Sequence, residues 1–227
     1  MNKLPILGFA LLLSSSLLAQ SKIAIGLDIK PQMHSIIGKN NFVNSQTQHR
    51  EVTLNLSAEL ALDYLINENY SISSGLSYNP QGISKEQINV ADFGNRSFEA
   101  NVDYVRIPIG LTFYLSKFGD YRINLSVGLG MNYLLTVKDN LGEVMDFINC
   151  VCDDPEVRYN KLVFDSQMST GLEYHLTESV LLLTELKMLL GINRYHKPYP
   201  IGSNADIEIN SRVISLGLGV GVRYRFK

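Results

Sequence analysis

The chain has 227 residues, 45% of them hydrophobic, and its 20 Lys and Arg against 22 Asp and Glu leave a net charge of −2. That length suits one large or two small domains with a sizeable core, and the balanced charge excludes a surface basic enough to follow a nucleic-acid backbone. No apolar run beyond the first twenty residues is long and uninterrupted enough for a transmembrane helix, since the nearest, Val180 to Ile192, carries Glu185 and Lys187.

The first residues, MNKLPILGFALLLSSSLLAQ, set one lysine ahead of an apolar stretch that ends in small residues. This is the layout of a secretory signal peptide over residues 1–19, with cleavage near Ala19 or Gln20. Pro5 and the serines Ser14 to Ser16 fit poorly into a buried helix. No cysteine directly follows the cleavage site, so nothing marks a lipoprotein anchor.

From Lys22 onward apolar residues recur at every second position, the period of a strand. Ile23, Ile25, Leu27 and Ile29 alternate with Gly26, Asp28 and Lys30, and a polar stretch from Pro31 to Glu51 follows. A second segment, Val52 to Tyr64, sets Thr53, Ser57, Glu59 and Asp63 on its polar face and ends in a tight turn at Ile66 to Asn69. The third, Tyr70 to Tyr78, leads into a polar loop from Gln81 to Ser97. In the fourth, Val105, Ile107, Ile109, Leu111 and Phe113 oppose Arg106, Pro108 and Gly110, and Ser116 to Gly119 turns the chain. The fifth alternates from Ile123 to Val137 against Asn124, Ser126, Gly128 and Gly130, with a loop from Asp139 to Tyr159 behind it. Leu162 to Tyr174 opposes Asp165, Gln167, Glu173 and His175, then turns at Leu176 to Glu178 into Val180 to Leu190, which carries Glu185 and Lys187. After a loop from Asn193 to Asn210, Ile214, Leu216, Leu218, Val220, Val222, Tyr224 and Phe226 face away from Ser215, Gly217, Gly219, Gly221, Arg223 and Arg225.

Eight such segments, joined alternately by tight turns and long polar loops, predict an all-β fold: an eight-stranded antiparallel transmembrane β-barrel over residues 20–227, with both termini periplasmic and four loops outside. Periodicity alone does not say which face is outside, but the residues do. The polar face mixes glycine and serine with charges of both signs: Asp28, Lys30, Glu59, Asp63, Arg106, Asp165, Glu173, Glu185, Lys187, Arg223 and Arg225. An eight-stranded barrel is only just wide enough for side chains to fill it, so small residues beside long charged ones fit the lumen, where they would form a salt-bridged plug. The apolar face carries no charge over the spans, and Tyr64, Tyr70, Phe113, Tyr174, Tyr224 and Phe226 gather near the tight turns as an aromatic girdle against outer-membrane lipid.

The leader ending in AQ, the segment YVRIPIGLTFYL with Tyr104, Ile107 and Pro108 in a Tyr-x-x-Ile-Pro pattern, and the aromatic terminus VRYRF resemble the PorT-like outer-membrane β-barrel family of Gram-negative bacteria over essentially the whole mature length. The resemblance implies an outer-membrane barrel, and in a minority of members an aid to protein secretion or gliding. It also implies that the last strand, with Tyr224 and Phe226, is the signal read by the barrel-assembly machinery, although Lys227 follows the aromatic here. Pro108 removes a ladder hydrogen bond inside a closed barrel, which predicts a local bulge.

No nucleophile motif accompanies His34, His49, His175 or His196, and His34 is merely a sequence neighbour of Ser35. Cys150 and Cys152 either close a strained local disulfide or stay free thiols, because residues two apart in extended chain point the same way; without a nearby histidine they make no zinc set. CDDPEV and NADIEIN lack the ligand spacing of a calcium loop, while NRYHKPYP, from Asn193 to Pro200, offers a stiff surface suited to a protein or glycan. The sequence therefore predicts a non-enzymatic barrel without cofactor or metal, whose partners are outer-membrane lipid, the barrel-assembly machinery and a protein met through the loops. The alternatives are an accessory role in secretion or outer-membrane assembly, a lipid-modifying enzyme, and a narrow channel.

Overall fold

The computed structural model describes residues 22–40, 52–90, 94–139, 159–195, 199–201, 205–207 and 209–226. The expected signal peptide, Cys150, Cys152, His49, His196 and Lys227 lie outside these residues. The strands are β1 (Ile23–Asn40), β2 (Thr53–Asn67), β3 (Tyr70–Val90), β4 (Gly94–Phe118), β5 (Tyr121–Asp139), β6 (Leu162–His175), β7 (Val180–Gly191), β8 (Tyr199–Ile201), β9 (Ala205–Ile207) and β10 (Ile209–Arg225). Eight of them close a barrel in the order β1, β10, β7, β6, β5, β4, β3, β2, with every neighbouring pair antiparallel, while β8 and β9 pair separately.

Local chemistry explains the tight turns. Between β2 and β3, Asn67 Oδ1 accepts the backbone N–H groups of Asn69 and Tyr70 at 2.8 and 3.0 Å, an Asx-type cap on the turn. Between β4 and β5, Gly119 sits at φ 59°, where a side chain would strain the backbone. Between β6 and β7, Thr177 Oγ1 accepts from Ser179 and Val180 at 3.2 and 3.0 Å.

The register fixes the barrel's geometry. Starting at His34, successive partners run through Ser215, Leu189, Gln167, Gly128, Gly110, Ser73 and Asp63, and return to β1 at Ala24, ten residues below the start. A shift of ten over eight strands tilts them by about 40° and makes each residue rise by roughly 2.5 Å along the axis. Leu27, Leu60, Ile109, Leu129, Leu186 and Leu218 all project outward and are exposed. Tyr121 and Tyr174 at the tight-turn end face Tyr133 and Phe164 at the other, and their separations along β5 and β6 correspond to an apolar band about 25 to 30 Å tall. At the tight-turn rim Tyr70 meets Phe113 edge-on at 5.5 Å, and Tyr224 meets Phe226 likewise at 5.2 Å.

Four expectations need correction. The polar stretch after Pro31 is not all loop, because β1 continues to Asn40 against β10. Gln81 to Ser97 is likewise mostly a ribbon, with β3 running to Val90 and β4 starting at Gly94; polar residues extend as strand here because each has a partner strand, whatever its neighbours' hydropathy. Val137 faces inward rather than outward, since the β4–β5 register slips between Asp103 and Tyr104 and reverses the alternation after Leu135. Pro108 makes no bulge: its register against Gly130 is unbroken, and on the β3 side the ladder lapses between Ser74 and Ser77 without a shift. Ser74 Oγ donates to the Pro108 carbonyl at 3.0 Å instead.

Candidate functional site

Because the strands tilt, residues at one height advance by little more than one position per strand, and the inward side chains fall into layers. At the tight-turn mouth lie Ala24, Ser71, Tyr114, Leu181, Glu173 and Arg225, around a void of about 20 Å³. The Arg122 guanidinium lies 4.3 Å above the Tyr114 ring. The next layer is built of small residues, Ala61, Ser73, Ser126 and Ser169, with Gly26 and Gly221 at the same height. A polar void of about 50 Å³ remains there, space for a few water molecules.

From the mouth upward the charges converge. Arg223 grips Asp28 with both terminal nitrogens, Nη2 at 2.8 Å from Oδ2, while its Nε donates to Asp63 at 2.8 Å. Lys30 Nζ lies 2.7 Å from Glu59, 2.9 Å from Glu185 and 3.3 Å from Asp28, and Lys187 reaches the same two glutamates at 3.6 and 3.2 Å. Arg106 holds Asp165 through Nε at 2.9 Å and Nη2 at 2.7 Å, and Nη2 also donates to Gln167 at 2.8 Å. The glycines make this crowding feasible. A Cβ on Gly219 would sit 2.9 Å from Glu185 Cγ, and one on Gly130 would sit 2.5 Å from Arg106 Nε. Of the eleven charged positions expected in the lumen, nine are thus joined into ion pairs; Glu173 and Arg225 lie together at the mouth. With Arg122 included, the six carboxylates Asp28, Glu59, Asp63, Asp165, Glu173 and Glu185 face the six cations Lys30, Arg106, Arg122, Lys187, Arg223 and Arg225.

The long-connection end is closed by apolar residues, a feature the alternation did not reveal. Val102, Tyr104, Leu134, Val137, Val163, Leu189 and Val213 turn inward and are buried, and Tyr159 and Tyr195 fold in over them. Tyr195 packs against Tyr104 at 5.8 Å and edge-on against Tyr159 at 5.6 Å. The Asn160 N–H donates to the Tyr195 carbonyl at 3.0 Å and its side-chain amide to Arg194 at 2.7 Å, pinning the two segments together. Burial, beside the rings of Tyr104 and Tyr159, raises the Tyr195 hydroxyl well above the ordinary tyrosine range, so the plug is uncharged. Tyr104 was visible in the sequence only as part of a family motif, and Tyr195 only as part of an adhesive loop.

His34 pairs with Ser215 rather than with Ser35, through Nδ1 and Oγ 2.6 Å apart. Both residues are buried, and no carboxylate contacts the other ring nitrogen among the described residues, so the pair is not arranged as a nucleophile with an oriented base. His175 sits at the tight-turn end, half-buried, with its backbone N–H on the Asp120 carbonyl at 2.9 Å.

Residues 19–197 match the family of the outer membrane protein beta-barrel domain. Among solved structures, the chain is similar to Neisserial surface protein A, at 13% identity and a TM-score of 0.51, over 90% of this chain and 97% of that one. It is also similar to the outer membrane protein AlkL, solved in lipid bilayers, at 14% identity and a TM-score of 0.50, over 91% of each chain. By sequence, no curated protein matches it. At these identities the two structures speak to the fold alone.

Proposed function

The chain belongs to the outer membrane protein beta-barrel domain family, and on that premise we propose that it is a non-enzymatic, membrane-anchored scaffold. Its barrel holds the chain in the bacterial outer membrane, both termini lie in the periplasm, and the connections at the opposite end meet another protein or the cell surface. One observation carries this reading: the lumen is blocked, by paired charges through the middle and by Tyr104, Tyr159 and Tyr195 above. A barrel so packed offers solutes no path, which leaves its rims as the working surfaces. Two measurements test it. In planar bilayers the purified protein should show no stable unitary openings, and crosslinking in native outer membrane should capture a partner that is lost when one long connection is deleted; steady conductance would refute the scaffold reading.

The finer, PorT-like assignment brings a second reading, an accessory of secretion or outer-membrane assembly. Its motif residues are used by the barrel itself: Tyr104 packs in the plug, Ile107 projects outward and Pro108 lines the lumen wall. The motif therefore supports family membership more than it supports a partner. Crosslinks to a secretion component through a periplasmic turn, rather than through a long connection, would favour this reading.

A further inference from the structure

Where the Arg106–Asp165 pair meets the underside of the tyrosine plug, a second set of polar groups gathers. Gln32 and His34 on β1, Asn79 and Gln81 on β3, and Asn132 on β5 all point inward and are at least nine-tenths buried. The register and the shift of ten residues bring them to within about two residues of one height. Each has a side-chain atom with no hydrogen-bond partner among the described residues: Gln32 Oε1, His34 Nε2, both amide atoms of Asn79, Gln81 Oε1 and Asn132 Oδ1. The partnered ends of three of them fix how they point. Gln32 donates to Ser57 at 2.8 Å, Asn132 to Asp165 at 2.7 Å, and His34 Nδ1 meets Ser215 at 2.6 Å.

Leaving one buried polar atom unmatched is costly, and gathering six at a single level is not what a packed, satisfied core does. Around Asn132 the wall, from Tyr104, Leu134 and Val163, is apolar. Concave sites for small molecules commonly combine a few convergent polar groups with apolar and aromatic walls. The ring of groups carries no formal charge, and the ion pairs at and beneath its height, Arg106–Asp165 among them, are already matched, so a charged solute would be buried without a counterion. Four carbonyl oxygens beside an imidazole nitrogen and one amide N–H call for a molecule that donates several hydrogen bonds and accepts at least one.

We propose that this level of the lumen is a binding chamber for a small neutral solute bearing both hydrogen-bond donors and acceptors, of the amide or polyol class, closed over by the tyrosine plug. The chamber is blind, so it is compatible with a barrel that conducts nothing.

The test uses the full chain in lipid nanodiscs, labelled at histidine rings and side-chain amides, with acetamide and glycerol as probes. One of them should shift the His34 ring nitrogen and Asn79 amide resonances saturably. Asn79→Leu or Gln81→Met should weaken that response about tenfold or abolish it, with folding checked by heat-dependent electrophoretic mobility, whereas Ser126→Ala in the lower void should leave it unchanged. If neither probe gives a saturable shift and the same amides show contacts to water alone at high probe concentration, water is the occupant and the proposal fails; a response equally strong in all variants would also overturn it.

Discussion

The pair of Arg106 and Asp165 offers the sharpest test of a charge-matched lumen. Asp165 accepts from Arg106 Nε at 2.9 Å, Arg106 Nη2 at 2.7 Å and Asn132 Nδ2 at 2.7 Å, and both members of the pair are under 5% exposed. Arg106→Met removes two of those three donors, strips Gln167 of its 2.8 Å contact, and leaves a carboxylate buried with one donor. Breaking a buried pair from one side costs about 3 to 5 kcal/mol, whereas replacing both partners by apolar residues is often close to neutral. Arg106→Met should therefore destabilise by about that amount, and Arg106→Met with Asp165→Leu by less than about 2 kcal/mol, a coupling larger than contacts at a wet surface give. Urea titration in lipid, followed by circular dichroism and by heat-dependent electrophoretic mobility, reads both numbers; the chain has no tryptophan to report instead. A single variant within about 1 kcal/mol of the wild type would mean that water already screens this layer, and the argument from charge matching would fall.

Gly219→Leu should overpack the lumen where Glu185 and Lys30 approach to 2.9 and 3.1 Å of the missing Cβ, costing about 1 to 3 kcal/mol or more in the same titration. Leu218→Arg, on the exposed outer face of the same strand, should cost about 2 to 4 kcal/mol in a bilayer and much less in a detergent that lets the side chain reach water; equal costs in both would argue that the residue does not meet lipid. Deleting Tyr224 to Lys227 removes Tyr224 from the closing strand and Phe226 just beyond it, and fractionation should then find no heat-modifiable barrel in the outer membrane.

Much of the fold was legible because lipid outside and side chains inside impose a strict period of two, which Ile214 to Arg225 displays without a break. The charged positions could be assigned to the lumen on the same ground, but not their pairings: Arg106 with Asp165, or Arg223 with Asp28, follow from a register that no local pattern encodes. Strand ends were misplaced wherever polar residues extend as a ribbon, as in β3 and β4, since outside the bilayer alternation is no longer enforced. The plug stayed hidden for a related reason. Val102 and Tyr104 keep the inward parity of Arg106 but are apolar, and Val137 reaches that side only through a register slip; an apolar residue facing inward at the end of a barrel reads, in sequence, like one facing lipid.

The first and last strands lie side by side, and their seam joins residues made at opposite ends of synthesis. The hydrogen bonds of Arg223 span 195 residues to Asp28 and 160 to Asp63. Until β10 arrives, the six carboxylates Asp28, Glu59, Asp63, Asp165, Glu173 and Glu185 have among the described lumen cations only Lys30, Arg106, Arg122 and Lys187. Contacts so distant along the chain form late and slowly, so an unfinished barrel carries excess negative charge along its future interior and is poorly suited to settle into lipid. Neutralising that interior and sealing the wall are then one event: the chain cannot become electrically comfortable in the membrane without also becoming closed.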